Sequence, residues 1–161
     1  MSKTITLDAI DLVLRVDSKS EGAIEVGNNR GPYVERVLAV TGNNPGDPWC
    51  AAEVADTGVK ALGKLWPLPL TASCQALANF AKAKGCRFLQ PQRGDVFLLW
   101  YPSLGRFAHT GFCIQPLPDG RWLTHDGNTS GAGSREGWMK AKQKRRFKPE
   151  DRFIRWVNLL P

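Results

Sequence analysis

Four cysteines, only two histidines and no long apolar run set the first limits on this 161-residue chain. Cys50, Cys74, Cys86 and Cys113 form no Cys-x-x-Cys pair. No cationic start with a following apolar stretch is visible in Met1-Ser2-Lys3-Thr4-Ile5-Thr6-Leu7-Asp8, so no secretory signal and no disulfide framework are expected. His109, His125, Cys113 and Asp126 lack the close-spaced ligand pairs of a structural zinc site. Gly27-Asn28-Asn29-Arg30-Gly31 lacks the spacing and lysine of a phosphate loop. No segment is apolar over the length a membrane span needs, and no internal repeat or low-complexity tract is evident.

What is present is the composition of an ordinary globular domain, 42% apolar, which is enough to build a core without staples. One domain over residues 1–161 is the simplest reading. The net charge of +7 is concentrated in part in Lys140-Ala141-Lys142-Gln143-Lys144-Arg145-Arg146. Such a run reads as a solvated, self-repelling surface segment. It could also hold a polyanion such as nucleic acid, a teichoic-acid-bearing wall or a lipid headgroup. No aromatic side chains interleave it as stacking platforms, and no specific nucleic-acid partner is expected.

Helical signals fill the first half. Ile10, Leu12, Val13 and Leu14 are expected to be buried, in a segment where helix and strand patterns are hard to separate. Pro32 suits the first position of a helix that carries Val34, Val37 and Leu38 on one face and stops by Gly42. A second helix is expected from about Trp49 to Leu62, after the turn-rich loop Gly42 to Pro48. A third fits Ser73 to Lys84, with Cys74, Leu77, Ala78 and Ala81 on one stripe and Gly85 at its end. The period then changes. Asp95 to Tyr101, His109 to Gln115, Arg121 to His125 and Phe153 to Val157 are strand-like, and Pro118-Asp119-Gly120 marks a turn. Helices followed by antiparallel strands predict an α+β domain.

Cys50 is the candidate nucleophile. A loop of Gly, Pro and Asp delivers it to a helix start, where unpaired backbone N–H groups and the dipole favour a thiolate. His109 is the candidate base, and Asp126-Gly127-Asn128, expected just past a strand end, offers groups to orient it. Cys74 and Cys86 read as buried structural thiols. Cys113, on the same strand face as His109, is either core or a neighbour of the site. His125 reads as a turn or strand-end residue, with a place near the site left open.

Five motifs in order resemble the CHAP domain, a group of cysteine, histidine-dependent amidohydrolases and peptidases in the NlpC/P60-like, papain-related superfamily. They are Asn28-Asn29-Arg30-Gly31-Pro32, Pro48-Trp49-Cys50-Ala51-Ala52, Arg93-Gly94-Asp95-Val96, His109-Thr110-Gly111 and Asp126-Gly127-Asn128-Thr129. Together they span about residues 25–157. The resemblance implies a papain-like α+β fold, with N-terminal helices packed on an antiparallel sheet. It also implies a hydrolase of peptidoglycan amide bonds, either an N-acetylmuramoyl-L-alanine amidase or a peptide endopeptidase.

By the same resemblance Cys50 is the nucleophile, His109 the base, and Asp126 stands where many members carry a glutamate. Asn128 falls on an asparagine with orienting or oxyanion roles, Trp49 is expected on the substrate side, and Gly94-Asp95 looks architectural. No cofactor or metal is implied, and the dense acidic loop that a calcium-dependent member would need is not apparent. Two positions depart from the pattern: Glu53 stands where the family usually has an aromatic residue, and Asp126 is one methylene shorter than glutamate. Glu53 is expected to face solvent or substrate, or to mark a divergent subgroup, and it leaves open a non-catalytic module that binds wall peptides or a protein partner. No separate wall-binding domain is visible. The expected setting is a phage or prophage endolysin released through a holin, or an antibacterial effector with an immunity protein and a dedicated secretion machine. In either case the protein is made in the cytoplasm without a signal peptide and acts on the cell wall.

Overall fold

The computed structural model describes residues 3–129 and 137–161. Helices come first: α1 (Lys3–Ser18), α2 (Pro32–Val40), α3 (Cys50–Leu62) and α4 (Cys74–Ala83). Strands follow: β1 (Arg87–Phe88), β2 (Val96–Tyr101), β3 (Arg106–Pro116), β4 (Trp122–Thr129), β5 (Met139–Arg145) and β6 (Arg152–Ile154). They form one antiparallel sheet in the order β1-β6-β2-β3-β4-β5. The architecture is α+β, as the change of period in the sequence predicts.

Strand alternation splits the sheet's side chains between two faces. Val96, Leu98, Phe112 and Ile154 pack with Val13, Val54, Leu77 and Ala81 of the helices in the main core. Phe97, Cys113 and Phe153 form a smaller cluster on the opposite face, closed by Phe147. Helix α2 lays Val34, Val37 and Leu38 against Trp49 and Ala52. The ambiguous N-terminal segment is the helix α1; Ile10 and Val13 are buried as expected, but Leu12 is 40% exposed because it falls off the stripe that faces the core.

β3 and β4 run further than their apolar patterns suggest. β3 starts at Arg106, three residues before His109, and β4 continues through Thr129, so Asp126 and Asn128 lie inside a strand rather than past its end. The segment after β6 turns into a 3-10 helix at Trp156–Leu159, which shortens the expected final strand. Asp95 is architectural: its carboxylate accepts from Gln92 N–H and from the Arg155 guanidinium, and Trp156 Nε1–H donates to the Gly94 carbonyl. Among the described residues, no helix is long and apolar enough to cross a membrane.

The basic run corrects the surface reading. Lys140 to Arg145 belong to β5, paired with β4, and the Lys140 side chain is completely buried. Its ammonium lies 2.7 Å from Asp17 of α1 and pairs with Glu53 of α3. Glu53 does not face solvent. It is 2% exposed and also accepts from Tyr33 Oη at 2.6 Å, Thr57 Oγ1 and Ser20 Oγ. His125, likewise inside β4, sets its Nδ1 2.6 Å from Asp17. Burial works against the Lys140 charge, but Glu53 and Asp17 outweigh it and hold the ammonium above its ordinary value.

Lys140→Met should therefore destabilise the fold by about 3–5 kcal/mol, because it strands two carboxylates away from water. Lys142, two residues on, pairs with Glu21 at a surface where both side chains are more than 40% exposed. Lys142→Met should cost under about 1 kcal/mol. Urea unfolding of the two variants measures the contrast, and equal costs would refute the buried-pair account.

Candidate active site

Cys50 is the first residue of α3, and the turn before it is held by backbone geometry. Asn29, in the left-handed region at φ 52°, donates its side-chain N–H to the Gly46 carbonyl, and Gly46 N–H returns a bond to the Asn29 carbonyl. Glu25 accepts from both Asn29 N–H and Trp49 Nε1–H. This clamp sets the approach of the loop to α3. As the first helical residue, Cys50 offers a backbone N–H with no intrahelical acceptor.

Trp49 does not serve as the expected substrate platform. Its ring is fully buried between α2 and β4 and meets Tyr33 edge-on at 5.9 Å. Gly127 is required beneath it, since a Cβ there would come 2.4 Å from the indole. The Asp-Gly-Asn motif is thus partly a docking surface for the start of α3.

His109 comes from β3, beside a bulge. Leu99 pairs with His109 and Trp100 with Phe107, so Ala108 is the extra residue. Such a bulge re-aims neighbouring side chains. The imidazole is completely buried; Nε2–H donates to Asp126 Oδ2 at 2.7 Å, while Nδ1 has no hydrogen-bond partner among the described residues. Gly111 makes this possible, because a Cβ there would come 2.5 Å from Asp126 Cβ. The shorter carboxylate therefore reaches the imidazole, and Asp126, rather than Asn128, makes the contact.

Asp126 is itself held. Thr124 Oγ1 donates to its Oδ1, and Arg145 of β5 donates to its Oδ2 at 2.5 Å while stacking on Phe97. Arg145 has no apolar signature in the sequence; only its pairing partner in β4 reveals it. Burial pushes the Asp126 carboxyl up, but the hydrogen bond from His109 and the charge of Arg145 outweigh it and leave the pKa lowered.

The thiol and imidazole stabilise each other's charged forms. The Cys50 thiol is held well below its ordinary value, first by a hydrogen bond with Cys74, against burial, and then by His109 and the Thr110 backbone N–H. Burial works against the His109 charge, but Asp126 and Cys50 raise its pKa to about 9. Cys113 is a core thiol raised by burial, and Cys86 sits in the main core. Cys74 is buried as expected, yet its Sγ lies 3.7 Å from that of Cys50.

Although Cys50 is 3% exposed, it lines two cavities, of about 310 and 350 Å³, which share Pro48, Cys50 and Ala108. The first is flanked by Asp47, Cys74 and Arg106; the second by Glu25, Asn29, Asn128 and Trp138. Asn128, in the left-handed region at φ 52°, has a buried Oδ1 with no hydrogen-bond partner among the described residues. A larger cavity of about 520 Å³ lies around Tyr33 and Arg36, and no cysteine or histidine lines it. Among the described residues, no group of three or more His, Cys, Asp or Glu side chains is placed to hold a metal ion.

Iodoacetamide at neutral pH should label Cys50 ahead of Cys86 and Cys113, and His109→Ala should slow that labelling at least about tenfold. The raised pKa of His109 stabilises the fold fully below its ordinary 6.5, and this is lost as pH rises through about 9. The lowered Cys50 pKa acts in the opposite sense over the same range, so the melting temperature of Cys50→Ala, which keeps His109 and Asp126 without the thiolate, should fall across that window more steeply than that of the wild type. Labelling rates that ignore His109 would rule out the activated pair. Comparison of the chain with family models, with curated proteins and with solved structures returns no match.

Proposed function

We propose that this protein is a papain-like, CHAP-related cysteine hydrolase that cleaves amide bonds of peptidoglycan. One observation carries the reading: the helix-start thiol of Cys50 adjoins an imidazole whose far nitrogen is tied to Asp126, leaving Nδ1 unbonded toward the thiol side. The ordered motifs point to the wall peptide, or its junction with muramic acid, as substrate. The +7 charge suits an anionic envelope, whether the protein is a lysin released through a holin or a secreted antibacterial effector.

His109 takes the Cys50 proton, and the thiolate attacks the scissile carbonyl carbon. The Cys50 backbone N–H and the side-chain amide of Asn128 donate to the oxyanion. His109 then protonates the leaving amine, the C–N bond breaks, and a thioester remains. Water, deprotonated by His109, attacks that thioester; the carboxylic acid leaves and the thiolate returns. Asp126 holds the ring and offsets the imidazolium charge throughout. The alternative, a binding module without catalysis, drew on Glu53, and that residue is buried in an ion pair away from Cys50's cavities.

Purified peptidoglycan digested by the wild type should release fragments whose masses identify the bond cut. Cys50→Ala should lower the rate at least about 10³-fold and Asp126→Asn at least about 10²-fold. The rate should rise as Cys50 ionises below its ordinary value and fall as His109 deprotonates near 9. Equal digestion by wild type and Cys50→Ala would sink the mechanism.

A further inference from the structure

The sulfur beside the candidate nucleophile belongs to Cys74, and its placement is structural rather than incidental. Cys50 begins α3 and Cys74 begins α4, so two helix starts meet sulfur to sulfur at 3.7 Å. The first turn of α4 is anchored by Ser73, whose Oγ accepts from Ala76 N–H. Both thiols are free, and both line the same cavity of about 310 Å³. Neither Cys86 nor Cys113 lines either cavity at Cys50.

We propose that Cys74 is a resolving cysteine, and that Cys50 and Cys74 form a reversible disulfide that switches the nucleophile off. The consequence for activity rests on the hydrolase reading; the bond itself does not. The sulfurs must close from 3.7 Å to about 2.05 Å. The two thiols are also differentiated as such a pair requires: Cys50 is the one held toward thiolate, while its neighbour Cys50, together with burial, holds Cys74 in the protonated form.

With hydrogen peroxide as oxidant, the Cys50 thiolate attacks one oxygen, the O–O bond breaks, and hydroxide leaves a sulfenic acid on Cys50. Cys74 sulfur then attacks the Cys50 sulfur; the S–S bond forms, the S–O bond breaks, and the hydroxide departs with the Cys74 proton as water. In total two thiols give up two electrons and two protons, and one peroxide becomes two waters. A dithiol such as dithiothreitol reverses the bond by exchange. A Cys50 without a resolving partner would instead proceed to sulfinic and sulfonic acids, which dithiothreitol does not reduce.

The test uses the full chain, a small excess of hydrogen peroxide and non-reducing peptide mapping by mass spectrometry. In the wild type the alkylatable thiols should fall from four to two, with a linked peptide pair containing Cys50 and Cys74, and dithiothreitol should restore all four. Cys74→Ser should give no linked pair and an irreversible gain of oxygen on Cys50, with circular dichroism confirming that it is folded. Peptidoglycan digestion by the wild type should be lost on oxidation and regained on reduction. A wild type that accumulates Cys50 sulfinic acid with no linked peptide overturns the proposal, and this result needs no mutant to interpret. Because mapping does not depend on activity, a disulfide without digestion would count against the hydrolase reading alone, and digestion without a disulfide against this proposal alone.

Discussion

The position of α3 on the sheet is set by a charge that cannot be left alone. Glu53, one turn into that helix, is buried, and a carboxylate removed from water must find a cation. Lys140 supplies it from the edge strand and meets Asp17 of α1 at the same time. Sliding α3 by one residue would separate Glu53 from Lys140 and lift Trp49 off Gly127. Cys50, three residues before Glu53, therefore has its place determined by an ion pair in which it takes no part.

Strand alternation turns this constraint into two separate charge systems. His125 and Asp126 are consecutive in β4 and point to opposite faces. Each receives help from β5: Lys140 lies with His125 against the shared carboxylate of Asp17, and Arg145 joins Asp126. The two cations are five positions apart along β5, an odd offset, so one strand serves both faces. One system holds helices to the sheet; the other holds the imidazole.

This arrangement also explains what could be read from the sequence. Helices α2, α3 and α4 and the helix-start position of Cys50 followed from turn residues and apolar stripes, because hydrophobic burial drives them. Lys140, Arg145 and Glu53 were illegible for the opposite reason: charge pairing buries them, and a charge run has no apolar period to betray a strand. Trp49, expected on the substrate side, is buried instead, and the clearance at Gly127 that buries it lies far along the chain. The apolar stripe of α4 correctly buried Cys74. Its contact with Cys50 arises where two helices meet, and no local pattern encodes that. Asp126 was picked out by motif order, but its reach to His109 depends on Gly111, whose missing side chain makes the room.

The catalytic reading gains its coherence from how charge alternates through the site. Read outward from the cavity, the groups are Cys50 thiolate, His109 imidazolium, Asp126 carboxylate and Arg145 guanidinium, and their charges sum to zero. A buried thiolate and imidazolium alone would face a large desolvation cost in a site where His109 and Asp126 are almost wholly enclosed. Asp126 and Arg145 extend the pair into a chain, and Arg145, at the partly exposed end, connects it to solvent. At the other end Cys50 lies at the junction of two cavities. In the proposed reaction a scissile amide reaches the thiol with its flanking groups on either side, one toward Arg106 and the other toward Asn128 and Trp138.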